Sequence, residues 1–172
     1  MLNAAIVIAA AVLAGDEAPP GFDATGTALE PMTRLVGYWT TPDNDNDGKP
    51  DATVKYFRTS NGSAVVEMLF PGTEHEMVTM YNLDGEALVM THYCALGNQP
   101  RLVGRQVKPN VIEFTFRDGM NMDSSKDMYM GAMTLTIKDD DHMTQAWRSF
   151  NAGEPMGEMV FEFTRQKGAA AR

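Results

Sequence analysis

Cysteine and basic residues are both scarce in this chain. The first shortage excludes an internal disulfide, and the second disfavours anionic partners. Cys94 is the single cysteine among 172 residues, so no internal disulfide can form and the fold must be stabilised by packing. Lys and Arg number 14 against 23 Asp and Glu, which leaves a net charge of −9. This acidic balance disfavours nucleic acid and anionic membrane surfaces as partners.

Long apolar runs are also lacking. The apolar run Ala4–Ala14 has eleven residues, whereas a membrane-spanning helix needs about 20, so we expect a protein that is not transmembrane. The run fits the apolar part of a signal peptide, with cleavage before Gly15, although no Lys or Arg precedes it. We therefore expect residues 1–15 to be a cleaved signal peptide and the protein to be secreted or periplasmic. The alternative is an apolar N-terminal helix of a cytosolic protein.

The rest of the chain divides into three parts. Residues 16–33 are rich in Pro, Gly and acidic residues and predict a leader that could contain a short helix. Residues 34–166 hold nine or ten strand-like segments separated by turn residues. Residues 167–172 predict a short disordered tail. A domain of this size buries roughly 70% of its unfolded surface, which is enough for one full core.

Apolar and polar residues alternate cleanly in the late strands. Ile112, Phe114 and Phe116 alternate with polar neighbours, and the same pattern returns in 131–138 and 155–165. One dry and one wet face on consecutive, closely linked strands indicates an antiparallel meander. The spacing predicts an all-β, up-and-down barrel of about eight to ten strands, in which closure removes the sheet edges.

The longest predicted loop, Asp118–Met130, carries four methionines. A loop of this length is either a lid over one opening of the barrel or an adaptable patch that packs on the barrel itself.

Asp84-Gly85 is the strongest hairpin signal in the chain. A two-residue loop there pairs Tyr81 with Leu88 and Met77 with His92 on one face. The other face of this central hairpin is also apolar. We therefore expect the N-terminal segment or a second subunit to cover it, and the second case would be a homodimer.

The same pairing predicts a cluster of metal donors. His75 would lie opposite Cys94, with His92 beside them at the open end of one face. These donors suit zinc or another borderline metal. The alternative is a partly buried cysteine beside a histidine that neighbouring groups satisfy.

Gly37-Tyr38-Trp39, on the first predicted strand, resembles the Gly-x-Trp signature of lipocalins and related calycin barrels. In that group the Trp plugs the closed end of the barrel and a late Arg packs over it, which implies structural roles for Gly37, Trp39 and Arg165. The strand Thr91–Cys94 and the loop Gly97–Arg101 also look like segments of uncharacterised secreted bacterial lipocalin-like proteins. The resemblance covers residues 34–165.

A barrel of this size either fills itself with side chains or holds one small ligand. The predicted lining is aromatic and sulfur-containing: Phe114, Phe116, Phe161, Phe163, Met68, Met133 and Trp147. Three polar side chains, Tyr81, His92 and Arg105, are candidates to orient a ligand. Which face of the central hairpin points inward stays open here.

Asp43, Asp45 and Asp47 occur in an Asp-x-Asp-x-Asp-Gly pattern, the first half of a calcium loop. The twelfth position, where a closing carboxylate belongs, is Val54, and Asp51 could substitute through water. The alternative is a solvated acidic turn. A calcium ion here would fasten the loop and do no chemistry.

Three functions compete on this evidence. The leading one is a secreted barrel that binds a small apolar or amphipathic molecule, for which no catalytic residue is predicted. The second is a metalloprotein or enzyme that uses His75, His92 and Cys94. The third is a structural envelope protein with a solid core. Fold alone does not decide between them.

Overall fold

The computed structural model describes residues 21–168. The predicted signal peptide and residues 169–172 therefore lie outside the described residues. In chain order the elements are α1 (Glu30–Thr33), β1 (Gly37–Thr40), β2 (Thr53–Thr59), β3 (Ala64–Leu69), β4 (Met77–Asp84), β5 (Ala87–Tyr93), β6 (Gln99–Lys108), β7 (Val111–Met120), β8 (Met128–Ile137), β9 (His142–Asn151) and β10 (Glu154–Gln166). Over residues 21–168, no helix has the length and apolar character needed to cross a membrane.

The ten strands form a closed antiparallel barrel. Each strand pairs with the next one along the chain, and β1 pairs with β10 to complete the circle. The predicted all-β meander is therefore confirmed, with α1 as a short helix before the first strand. Short turns connect the strands at the end of the barrel near α1, which we call the closed end. The longer loops, including 41–52 and 70–76, lie at the opposite, open end.

Trp39 and Arg165 join the first and last strands at the closed end. The two residues face each other in the β1–β10 register, and the guanidinium lies 4.0 Å from the centroid of the indole ring. Trp39 Nε1 donates to the carbonyl of Leu35 at 2.7 Å, which ties the segment after α1 to the barrel. This is the arrangement that the resemblance implied for the pair.

Gly37 is required by the same arrangement. Its φ is +138°, and a Cβ built there would lie 2.9 Å from Arg165 Nη1. A side chain at this position would strain the backbone and displace the guanidinium.

The core fills the barrel between its closed end and the open-end loops, and residues from nearly every strand are buried in it. The largest fully enclosed side chains are Trp39, Tyr56, Tyr81, Phe114, Phe163, Leu88, Met90, Leu102 and Met133, with Leu29, Met32 and Leu35 contributed by the α1 region. Tyr81 contacts Phe114 edge-on at 5.8 Å between ring centroids. The inward face of the central hairpin is thus the one that carries Tyr81 and Met90.

The central hairpin has a different register from the predicted one. Asp84 pairs with Ala87 and Tyr81 with Met90, so Gly85 and Glu86 form the two-residue loop. Gly85 has φ +62° while Asp84 stays in the strand, which fits a turn with glycine at its first central position. Each residue of β4 therefore pairs with a residue of β5 two positions later than predicted. Side chains alternate with a period of two, so the predicted division of the hairpin into two faces is unchanged.

Two further predictions need correction. The loop Asp118–Met130 is shorter than expected, because β7 continues to Met120 and β8 begins at Met128. Met68 does not line the interior: it pairs with Lys55 on the outer face, while its neighbours Glu67 and Leu69 are buried.

Candidate ligand-binding site

An apolar pocket of about 160 Å³ lies at the open end of the barrel. Six strands and the loops after β3 and β5 contribute to it. The lining residues are Leu69, Phe70, Met77, His92, Cys94, Leu96, Met130, Trp147, Met159 and Phe161. Phe70 contacts Phe161 edge-on, with ring centroids 6.1 Å apart. The walls of the pocket are therefore mainly aromatic rings, aliphatic chains and thioethers.

A larger groove of about 310 Å³ lies at the closed end, beside α1. It is lined in part by polar and charged residues, including the half-buried Glu30 and the exposed Arg34 and Gln106. Its size exceeds that of the open-end pocket, but it lies beside the barrel and lacks an enclosing apolar wall. We therefore take the open-end pocket as the candidate site.

His92 and Trp147 are the two nitrogen-bearing side chains of the pocket lining. Their ring centroids are 4.8 Å apart. His92 is 1% exposed, and its Nδ1 lies 2.9 Å from Thr79 Oγ1. Burial lowers the pKa of His92 to about 4, so the imidazole is neutral at pH 7.

Trp147 connects the pocket to a buried polar cluster of Tyr56, Glu67, Tyr81 and Gln145. Its Nε1 donates to Gln145 Oε1 at 2.9 Å, and Gln145 Nε2 donates to Glu67 Oε1 at 2.7 Å and to the Tyr56 hydroxyl at 2.5 Å. The Tyr81 hydroxyl donates to Glu67 Oε2 at 2.5 Å. All four residues are at most 1% exposed, and they lie in the interior beyond the pocket lining.

Glu67 is a buried carboxyl, and none of the ion pairs among residues 21–168 involves it. Burial raises its pKa, and the hydrogen bonds from Tyr81, Gln145 and Tyr56 oppose that rise. Burial also raises the pKa of both tyrosines, which therefore remain protonated donors. No atom of the cluster is among the buried, unpartnered polar atoms of the described residues, so the cluster satisfies itself and holds the strands together.

The sequence interpretation missed this cluster. The signal was a single glutamate inside the otherwise apolar run Ala64–Leu69. A carboxylate placed there by strand alternation needs donors from facing strands, and Tyr56, Tyr81 and Gln145 supply them.

Three of the predicted ligand residues line the pocket: His92, Trp147 and Phe161. Tyr81 and Phe114 do not line the pocket. They are enclosed in the core, where their side chains are 0% and 1% exposed. Phe116 packs against Tyr129 at 4.7 Å between centroids.

Arg105 lies outside the barrel. It is exposed and pairs with Glu113 across β6 and β7, while its neighbour Gly104 approaches the buried Phe114 ring. Arg105 therefore does not orient a ligand in the pocket.

The predicted metal cluster is only partly brought together. His92 and Cys94 both line the pocket, but His75 lies in the exposed loop before β4, with Nε2 3.7 Å from Glu74 Oε1. Burial raises the pKa of Cys94, which keeps the thiol protonated at neutral pH. Met77, Met130 and Met159 line the same pocket, and soft sulfur donors suit Cu(I) better than hard cations.

In residues 21–168, one group of three His, Cys, Asp or Glu residues has the spacing of metal ligands: Asp43, Asp45 and Asp51, with oxygens within 4.8 Å of one another. Asp47, predicted as a ligand, donates its backbone N–H to Asp43 and Asp45 at 3.1 Å each. All of these residues are exposed. The loop is thus built around carboxylates that accept backbone N–H groups, as in a solvated acidic turn.

A scan against models of known protein families finds none that matches this chain, and a search of curated proteins finds no match either. The class of the protein is therefore defined by its own structure: a closed, ten-stranded antiparallel β-barrel with an apolar pocket at one end. This architecture is consistent with a calycin-like barrel.

Proposed function

We propose that this protein binds a small apolar or amphipathic molecule, with the apolar part of the ligand in the open-end pocket. The observation that carries the proposal is the pocket itself, about 160 Å³ of space lined mainly by apolar side chains from six strands and two loops. An apolar protein cavity of about 150 Å³ binds benzene. The pocket is therefore matched to one ring or a short branched chain.

The volume also limits the class of ligand. A haem or a complete long-chain fatty acid is far larger than a single ring, so only part of such a molecule would enter. The remainder would lie against Leu96 and Met159, which are 53% and 56% exposed at the rim. Both are flexible apolar side chains at an opening, which is where the outer part of an amphipathic ligand makes contact.

Thermal unfolding with small lipophiles tests the proposal. A ligand at 100 times its Kd stabilises the native state by about 2.7 kcal/mol, so benzene-sized compounds are expected to raise the melting temperature. Cys94→Leu places extra volume in the pocket and is expected to abolish the rise, whereas Cys94→Ser, which keeps the size, is expected to retain it. Unchanged melting across a panel of ring compounds would contradict the proposal.

A soft metal ion is the second candidate occupant, favoured by the set of His92, Cys94 and three thioethers around one pocket. Native mass spectrometry of protein from its own source separates the two candidates. Copper that is retained by the native protein and lost in Cys94→Ser would favour the metal. A bound organic mass, or a melting temperature insensitive to Ag⁺ and Cu⁺, would count against it.

We also propose that the protein is exported. The support is the uncharged stretch that contains Ala4–Ala14, followed by a cleavage signal before Gly15. The intact mass of protein from the culture medium or periplasm is expected to correspond to a chain that starts at Gly15. Full-length protein confined to the cytosol would contradict export and leave the binding proposal untouched.

A further inference from the structure

His92 lines the pocket, and one of its two ring nitrogens has no hydrogen-bond partner among the described residues. Its Nδ1 is engaged by Thr79, while Nε2 makes no hydrogen bond with any residue in 21–168. The other nitrogen of the pocket lining, Trp147 Nε1, already donates to Gln145. Beside the weakly polar thiol of Cys94, His92 Nε2 is thus the side-chain polar atom of the lining that remains for a ligand.

The partner of Nδ1 decides whether Nε2 donates or accepts. Thr79 is 2% exposed, and His92 Nδ1 is the acceptor available to its hydroxyl among the described residues. If Nδ1 carried the proton, the buried hydroxyl hydrogen of Thr79 would have no acceptor, which is unfavourable. The Thr79 hydroxyl therefore donates to Nδ1, and the proton of the neutral ring is on Nε2.

The remaining walls exclude charge. The other lining residues are aliphatic, aromatic, thioether or thiol, and a carboxylate or ammonium moved into such surroundings loses its hydration without gaining a partner charge. A neutral ligand with one acceptor atom satisfies the site, since it fills the apolar space and pairs with one N–H.

We propose that the pocket selects neutral, ring-sized molecules that carry one hydrogen-bond acceptor, such as a ketone, aldehyde or ether oxygen, which accepts from His92 Nε2–H. This inference rests on the proposed function and specifies its ligand class. A buried hydrogen bond of ordinary strength corresponds to a preference of up to about tenfold over an isostere that lacks the acceptor.

Cyclohexanone and methylenecyclohexane are a matched pair of probes, because an oxygen replaces a CH₂ group of nearly the same shape. Calorimetric titration is expected to give up to about tenfold tighter binding of the ketone to the native protein. His92→Phe keeps a ring beside Trp147 and removes the N–H, so the preference is expected to disappear while both probes still bind. His75→Phe makes the same change at an exposed histidine outside the pocket lining, and is expected to keep the preference.

The possible outcomes distinguish the preference for an acceptor from the proposed binding of a small apolar molecule. Equal affinity of the two probes for the native protein would overturn the acceptor preference and leave the binding pocket intact. Binding of neither probe would overturn both. Tighter binding of benzoate than of cyclohexanone would also overturn the inference, because the site would then select an anion.

Histidine-selective ¹⁵N NMR provides a test that needs no variant. The chain has three histidines, so the spectrum is simple. Nε2 of His92 is expected to be protonated at pH 7, and its proton is expected to shift downfield with cyclohexanone but not with methylenecyclohexane. A proton on Nδ1 would overturn the inference even if His92→Phe failed to fold.

Discussion

His92 is uncharged at neutral pH because burial lowers its pKa to about 4. The pKa of a histidine in an unfolded chain is about 6.5. Between these values the unfolded chain binds a proton that the folded chain does not bind. The stabilising contribution of the neutral ring is therefore complete above about pH 6.5 and is lost as the pH falls towards about 4, by about 3 kcal/mol in total.

His92→Phe is expected to remove this pH dependence. Urea unfolding of the native protein should show a free energy of unfolding that falls by about 2–3 kcal/mol more between pH 7 and pH 4.5 than that of the variant. Glu67, whose raised pKa acts in the opposite direction, is present in both proteins and cancels in the comparison. Parallel pH profiles for the two proteins would contradict the assignment.

Tyr81 tests whether the buried polar cluster stabilises the barrel. Tyr81→Phe removes the donor to Glu67 Oε2 and is expected to lower the free energy of unfolding by about 1.5–3 kcal/mol. Tyr129 is the matched control, because its ring is also largely buried but its hydroxyl makes no hydrogen bond with a described residue. Tyr129→Phe is expected to change stability by less than about 0.5 kcal/mol. Equal effects of the two substitutions would show that the cluster adds nothing beyond packing.

At the scale of the element, the β1–β10 junction is short and is reinforced by side chains of β10, among them Gln166, whose Nε2 donates to Thr40 Oγ1 at 2.8 Å. The register joins only three residue pairs. Arg165 reinforces it, because its guanidinium donates to the carbonyls of Val36, Arg34 and Asp140 at 2.7, 2.8 and 2.6 Å. Its position over Trp39 adds a cation–π contact.

Arg165→Lys is expected to destabilise the barrel by about 2–3 kcal/mol. A lysine keeps the charge but cannot reproduce three directed donors and a planar group over the indole. Arg148→Lys is the matched control, because Arg148 pairs with Glu158 at an exposed site, where such pairs contribute about 0.2–1 kcal/mol. Urea unfolding of both variants measures the difference, and a cost for Arg165→Lys no larger than the control would contradict this role.

The strands were predictable because each carries its own alternation of apolar and polar residues. That pattern depends on neighbours in the chain, so β10, predicted from residue 155, begins at Glu154, while β8, predicted from residue 131, begins three residues earlier at Met128. The register of the central hairpin was not predictable from Asp84-Gly85, since either residue could begin the loop and only the observed backbone places Gly85 first.

The site was predictable only in part for a related reason. Alternation placed His92 on the same face as Tyr81, and a period of two tolerates an error of two residues. Whether Cys94 or His75 joins His92 depends on where each strand ends, which loop geometry decides. Glu67 and Gln145 meet across the barrel, 78 positions apart in sequence, and no local pattern reports such a contact.

At the scale of the whole molecule, stability is unevenly distributed along the barrel axis. The closed end has α1, the Trp39–Arg165 pair and the buried polar cluster. At the open end β10 is bonded on one side only: in the described residues, β1 pairs with 164–166 and the rest of β10 pairs with β9 alone. Residues 154–160 are exposed at every position, and Met156, Met159 and Val160 are 56–59% exposed.

Hydrogen exchange is therefore expected to report a gradient from one end to the other. Amides of β3, which is bonded on both sides and almost wholly buried, should exchange only through global unfolding. Amides of 154–160 should exchange through local opening at a much lower free energy. A pocket ligand is expected to slow exchange at 159–161 and in the loop after β5 more than at the closed end, whose segments do not contact the pocket. Uniform protection from Glu154 to Gln166 would mean that β10 opens only with the whole barrel, and the open end would then be as rigid as the closed one.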